Sequence, residues 1–160
     1  MTRSDRERWM DLALDEARRA AQEGEVPVGC VIVSGDEVIA RGRNRRERDQ
    51  NPIAHAEILA IADAARRIGS WRLERTALFV TLEPCPMCAG AIVNARIPLV
   101  AYGADDPKAG AVRTLYRLLE DPRLNHRAEI VDGLRANESA ELLRQFFSHL
   151  RQRSPASSPR

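Results

Sequence analysis

Two short clusters carry the residue types that metal binding and proton transfer need. His55-Ala56-Glu57 is the first, and Cys85-Pro86-Met87-Cys88, starting thirty positions after His55, is the second. One histidine and two cysteines are nitrogen and sulfur donors suited to Zn²⁺. Three protein ligands leave the fourth tetrahedral position to water, the mark of a catalytic site. Glu57 stands two places after His55, and residues at i and i+2 do not share a helix face. The helix must therefore meet the metal end-on, with its first-turn side chains converging. There Glu57 can take a proton from a water whose pKa the metal brings near ~7, and return it. Cys30, inside the apolar run Val28-Gly29-Cys30-Val31-Ile32, reads as a small buried thiol, and a closed structural site with Cys30 as fourth ligand is the alternative. His126 and His149 read as surface or hydrogen-bonded histidines.

These clusters need elements to position them. Ser4-Asp5-Arg6-Glu7 has the form of a capping box, followed by apolar residues at helical spacing from Trp9 until Gly24. Val28–Val33, the turn Ser34-Gly35-Asp36 and Glu37–Ala40 predict a β-hairpin. A polar, arginine-rich loop runs from Arg41 to Gln50. Helices are expected over Ala54–Ile68, closed by Gly69, and over Pro86–Asn94. Each chemical cluster thus opens a helix after an extended stretch, where unpaired N–H groups and the positive dipole end favour a thiolate. Ala77–Thr81, Leu99–Tyr102 and Glu129–Val131 read as strands. The long interval before the last of them, with a helix over Val112–Leu119, suits a parallel crossover. Leu142, Leu143, Phe146, Phe147 and Leu150 form the apolar face of a final helix, most simply core or subunit interface. The order α-β-β-α-β-α-β-α-β-α places the chain in the α/β class, one sheet covered by helices on both faces.

Length and composition narrow the function classes. The 160 residues suffice for one compact domain, expected over 1–152, with a disordered Ser/Pro/Arg tail over 153–160. The longest uncharged stretch, Pro84–Ala95, is too short to span a bilayer, and the N-terminus leads into charge rather than an apolar signal core. A soluble, cytoplasmic protein is expected. Three cysteines, an odd number, make no disulfide framework. Lys108 is the only lysine, so 24 of the 25 basic residues are arginine. A net charge of +2 permits nucleic-acid binding without demanding it. The arginines over Arg41–Arg48 read either as a phosphate-binding arm or as a solvated loop.

Taken together, His-Ala-Glu, the spacing and Pro-Cys-x-x-Cys match the zinc-deaminase signature. The chain further resembles the bacterial tRNA-specific adenosine deaminases from about Trp9 to Phe147. The resemblance rests on Glu25–Gly29, Gly42-Arg43-Asn44, Thr81–Gly90, Gly103–Gly110, Asn125-His126-Arg127 and Phe146-Phe147. It implies a three-layer α/β/α cytidine-deaminase-like fold with a central five-stranded mixed sheet, one Zn²⁺ per subunit, no organic cofactor, and a homodimer. It implies His55, Cys85 and Cys88 as zinc ligands and Glu57 as proton shuttle. Asn44, Val28 and Ala56 would line the base pocket, and Asp106 would contact the sugar beside the target. The implied reaction is wobble adenosine-34 to inosine in a tRNA anticodon stem-loop. Guanine or other free-base or nucleotide deamination, and a non-catalytic zinc-containing RNA-binding subunit, are the rival readings.

Overall fold

The computed structural model describes residues 1–153. The expected tail falls outside them except for Arg153, which ends the last helix. In chain order the elements are α1 (Arg3–Gln22), β1 (Gly29–Ser34), β2 (Glu37–Arg43), α2 (Ala56–Ile68), β3 (Ala77–Leu82), α3 (Pro86–Ala95), β4 (Leu99–Ala104), β5 (Glu129–Val131) and α4 (Ala136–Arg153). The five strands form one sheet in the order β2-β1-β3-β4-β5. β1 runs antiparallel to β2 and β3, while β3, β4 and β5 are parallel, so the sheet is mixed.

Side-chain alternation along the strands divides the core in two. Cys30 and Ile32 of β1, Leu78 and Val80 of β3, and Val100 and Tyr102 of β4 face α2 and α3. Val31 and Val33, Ala77 and Phe79, and Ala101 face the other way, onto Trp9, Met10 and Ala13 of α1. The three central strands are thus apolar on both faces, which explains their near-continuous hydrophobic runs. Helices cover both faces, as expected: α1 and α4 on one, α2 and α3 on the other.

Three expectations need correction. The capping box lies two residues earlier than expected. Asp5 N–H donates to the Thr2 hydroxyl at 3.1 Å, and the Asp5 carboxylate accepts from Thr2 N–H at 2.8 Å. Val112–Leu119 forms turns, not a helix. Its N–H groups do not reach back along a helix; those of Val112, Arg113 and Thr114 donate to the Glu83 carboxylate. Finally, of the two places expected for the apolar residues of α4, core or subunit interface, the core of this chain is not the one they take. Leu142, Leu143 and Phe146 are half-buried, Phe147 and Leu150 are exposed, and Ser139 is the helix's one fully buried residue.

Candidate active site and metal centre

α2 and α3 begin beside each other at one end of the sheet, and their first turns carry the chemistry. His55 is the N-cap of α2 and Cys85 the N-cap of α3, with Pro86 at its first helical position. N-cap side chains usually accept a hydrogen bond from their own helix. Neither does so here, and both are free to bind something else. Gly42 of β2 allows this placement. A Cβ there would lie 2.2 Å from the Ala56 carbonyl oxygen, so the start of α2 rests directly on the β2 backbone.

Cys85 Sγ and Cys88 Sγ each lie 3.6 Å from His55 Nδ1. All three donor atoms are within 4.8 Å of one another. In a tetrahedral zinc site, bonds of about 2.3 Å to sulfur and 2.1 Å to nitrogen set the S···N separation at about 3.6 Å. The donors therefore stand where a metal ion needs them, and the group could hold one. Cys30 does not join this group: it is fully buried in the core facing α2, where burial raises its thiol well above the usual range. His126 Nε2 donates to the Ile97 carbonyl at 2.7 Å, and His149 is exposed.

The electrostatics distinguish the groups. A hydrogen bond with the Cys88 thiol, helped by His55, lowers Cys85 to about 4. The same bond, together with burial, pushes Cys88 up. Glu57, at the second position of α2 and 4% exposed, is raised to about 7 by burial.

A cavity of about 490 Å³ opens in front of these residues. Val28, Asn44, His55, Ala56, Glu57, Cys85 and Asp106 all line it, while Cys88 is buried behind. Every site residue expected from the sequence is thus brought to one place. Asn44 is fixed locally: its side chain donates to the Val26 carbonyl (3.3 Å) and accepts from Arg46 N–H (3.1 Å). Asp106 accepts from the N–H groups of Lys108 and Ala109.

Two buried carboxylates were not singled out by sequence reasoning. Glu25 accepts from the N–H groups of Glu47 and Arg48, anchoring the loop after β2. Glu83 anchors the loop after β4. Both lie inside the segments that carry the family resemblance, but their partners lie more than twenty positions away along the chain, and neither acid resembles a ligand or a base. Phe147 and Leu143 of α4 also line the cavity.

The arginine-rich segment is largely exposed, and most of its arginines are paired with acids. Glu16 of α1, 2% exposed, pairs with Arg19 (3.2 Å), Arg41 (3.9 Å) and Arg43 (3.1 Å). Glu23 takes Arg43 (2.6 Å) and Arg48 (3.1 Å), and Asp49 takes Arg45 (3.0 Å). Arg46 alone of the segment makes no ion pair among the described residues, and it lines the cavity.

Comparison with known proteins agrees with this arrangement. Residues 4–151 match the MafB19-like deaminase family. A tRNA-specific adenosine deaminase from Bacillus subtilis (strain 168) is 49% identical over 150 residues, covering 94% of this chain and 93% of that protein. The chain belongs to the tRNA-specific adenosine deaminase family. A structure from work on A-to-I editing by tRNA:A34 deaminases at the wobble position of transfer RNA superposes on this family member with a TM-score of 0.82. It is 47% identical and covers 85% of this chain and 99% of its own. The Bacillus subtilis guanine deaminase structure is more distant. It has a TM-score of 0.60 and 38% identity, covering 62% of this deaminase chain and 64% of its own.

Proposed function

We propose that this protein hydrolyses adenosine at the wobble position (34) of a tRNA anticodon to inosine, releasing ammonia. The observation that carries the reading is the gathering of His55, Cys85, Cys88 and Glu57 around one cavity. It occurs in a chain half identical to proteins of that name.

His55, Cys85 and Cys88 would hold one Zn²⁺ per subunit, which when bound supplies a Lewis acid and brings the pKa of a water near ~7. Glu57, buried against the ligands, takes the proton of the attacking water and passes it to adenine N1. Attack at C6 makes a tetrahedral carbon bearing a hydroxyl, and Glu57 then takes that hydroxyl's proton and delivers it to the leaving amine as the C6 carbonyl forms. C6–N breaks, ammonia departs and hypoxanthine remains. Asn44, Val28 and Ala56 hold the base on the cavity walls. Asp106 accepts from the 2′-OH of the adjacent sugar, a group that DNA lacks. The base must leave its stack to reach a recessed site, which costs least in a single-stranded anticodon loop.

We further read the molecule as a homodimer formed by a single deaminase domain. It would work in the cytoplasm, where its substrate is found. Among the described residues, no helix is long and apolar enough to cross a membrane. The test is purified protein with an anticodon stem-loop carrying adenosine-34, scored for inosine by sequencing, with free adenosine, guanine and deoxycytidylate in parallel. Inosine in the RNA alone supports the reading. Turnover of a free base or nucleotide instead overturns the RNA assignment, and no turnover by zinc-loaded protein overturns the enzymatic one.

A further inference from the structure

The loop after β4 has no regular structure of its own, yet it supplies Asp105, Asp106, Pro107, Lys108 and Ala109 to the cavity. One side chain holds it. Glu83 follows β3, is 2% exposed, and is not among the metal-ligand group. Its Oε1 accepts from Asp106 N–H (3.1 Å) and from the Thr114 hydroxyl. Its Oε2 accepts from the N–H groups of Val112 (3.1 Å), Arg113 (2.9 Å) and Thr114 (3.0 Å). Both ends of the loop therefore converge on one carboxylate. Gly110 lies across it so closely that a Cβ there would sit 2.5 Å from either oxygen. The Pro84 carbonyl accepts from Ala111 N–H at 2.8 Å, so the loop is also tied to the segment leading into Cys85.

Buried backbone N–H groups must find acceptors, and a neutral side chain with a single carbonyl oxygen cannot serve these five donors. We propose that Glu83 is a positioning residue for substrate recognition. Outside the metal-ligand group and with both oxygens taken up by the loop, its carboxylate sets the Asp106–Ala109 wall against the RNA and thereby fixes KM. This rests on the reading that the cavity takes an anticodon base.

The experiment compares zinc-loaded wild type, Glu83→Gln and Thr114→Ala on the adenosine-34 stem-loop, together with amide hydrogen exchange. Thr114 is exposed and removes one donor only, so it serves if Glu83→Gln does not fold. The expected result is unchanged zinc content, with KM raised on the order of tenfold in Glu83→Gln and a few-fold in Thr114→Ala. kcat should fall far less. Exchange should accelerate at residues 106 and 112–114 but not in α2. A lower kcat at unchanged KM is the signature of a merely structural role and overturns the proposal, as does unchanged KM despite faster exchange. Wild-type inosine formation with either of those results sinks the Glu83 assignment alone. Absence of inosine from wild type overturns the substrate reading and this proposal with it.

Discussion

At the scale of single residues, the division of labour between Glu57 and the three ligand residues is open to direct test. Glu57→Ala should keep the fold and the zinc but slow inosine formation by about 10²–10⁴-fold, the range removed with a general acid/base. Metal analysis beside a turnover assay checks this, and near-normal turnover would remove the proton-shuttle role. Cys88→Ala should instead lose zinc, because the buried Cys88 sulfur is one of only three donors in the group. The two outcomes separate a residue that moves protons from one that holds a metal. His55, Glu57, Cys85 and Cys88 were legible in the sequence because their spacing is local to two helix starts. Glu25 and Glu83 were not, since an acid destined to collect distant backbone N–H groups looks like any other acid until the loops close on it.

At the scale of elements, the site depends on how closely α2 lies on β2. Gly42→Ala would drive a methyl group into the Ala56 carbonyl. It should cost about 1–3 kcal/mol of stability, the usual range for overpacking. It should also weaken zinc binding, because the displaced first turn carries His55 and Glu57. Thermal denaturation and zinc titration measure the two effects, and loss of neither would mean that the helix can shift without disturbing the ligands. The strands were readable from their apolar runs, and β1, β2, α2 and α3 sit close to where periodicity and glycine stops put them. The missing helix at Val112–Leu119 shows where periodicity is insufficient. Its pattern is helical, but an acceptor supplied by another element captures the N–H groups that a helix would have used. The apolar stripe of α4 was equally visible, yet sequence alone did not tell a core face from the rim of a cavity. Phe146 and Phe147 meet edge to face at 5.5 Å, and Phe147 faces the cavity.

At the scale of the molecule, arginine abundance overstates the charge available to RNA. Arg41, Arg43, Arg45 and Arg48 are already paired with acids. Arg46, Lys108 and Arg151, in and beside the cavity, make no ion pair among the described residues. With ~0.7 counterions released per phosphate neutralised on a single strand, three such contacts give a log–log salt slope of about −2. Filter binding across a salt series checks this. A slope steeper than about −4 would mean that the paired arginines abandon their acids for phosphate. Removing the metal should lower the melting temperature, since a ligand that binds only the folded state adds to its stability. Scans with and without chelator test that, and identical curves would detach the metal from the fold.

The arginines engaged by Glu16 and Glu23 have a consequence outside catalysis. β2 is an outer strand of the sheet, and an outer strand exposes backbone groups to which a foreign strand can add. Here Arg41 and Arg43 are held beside it by acids of α1 and its C-terminal end, and the guanidinium of Arg67 reaches the carbonyls of Val38 and Ile39. The opposite border, β5, is only three residues long. Neither margin offers a long, flat template for β-addition, so the sheet is guarded against aggregation at both sides, and copies of this chain that associate must meet through helices and loops.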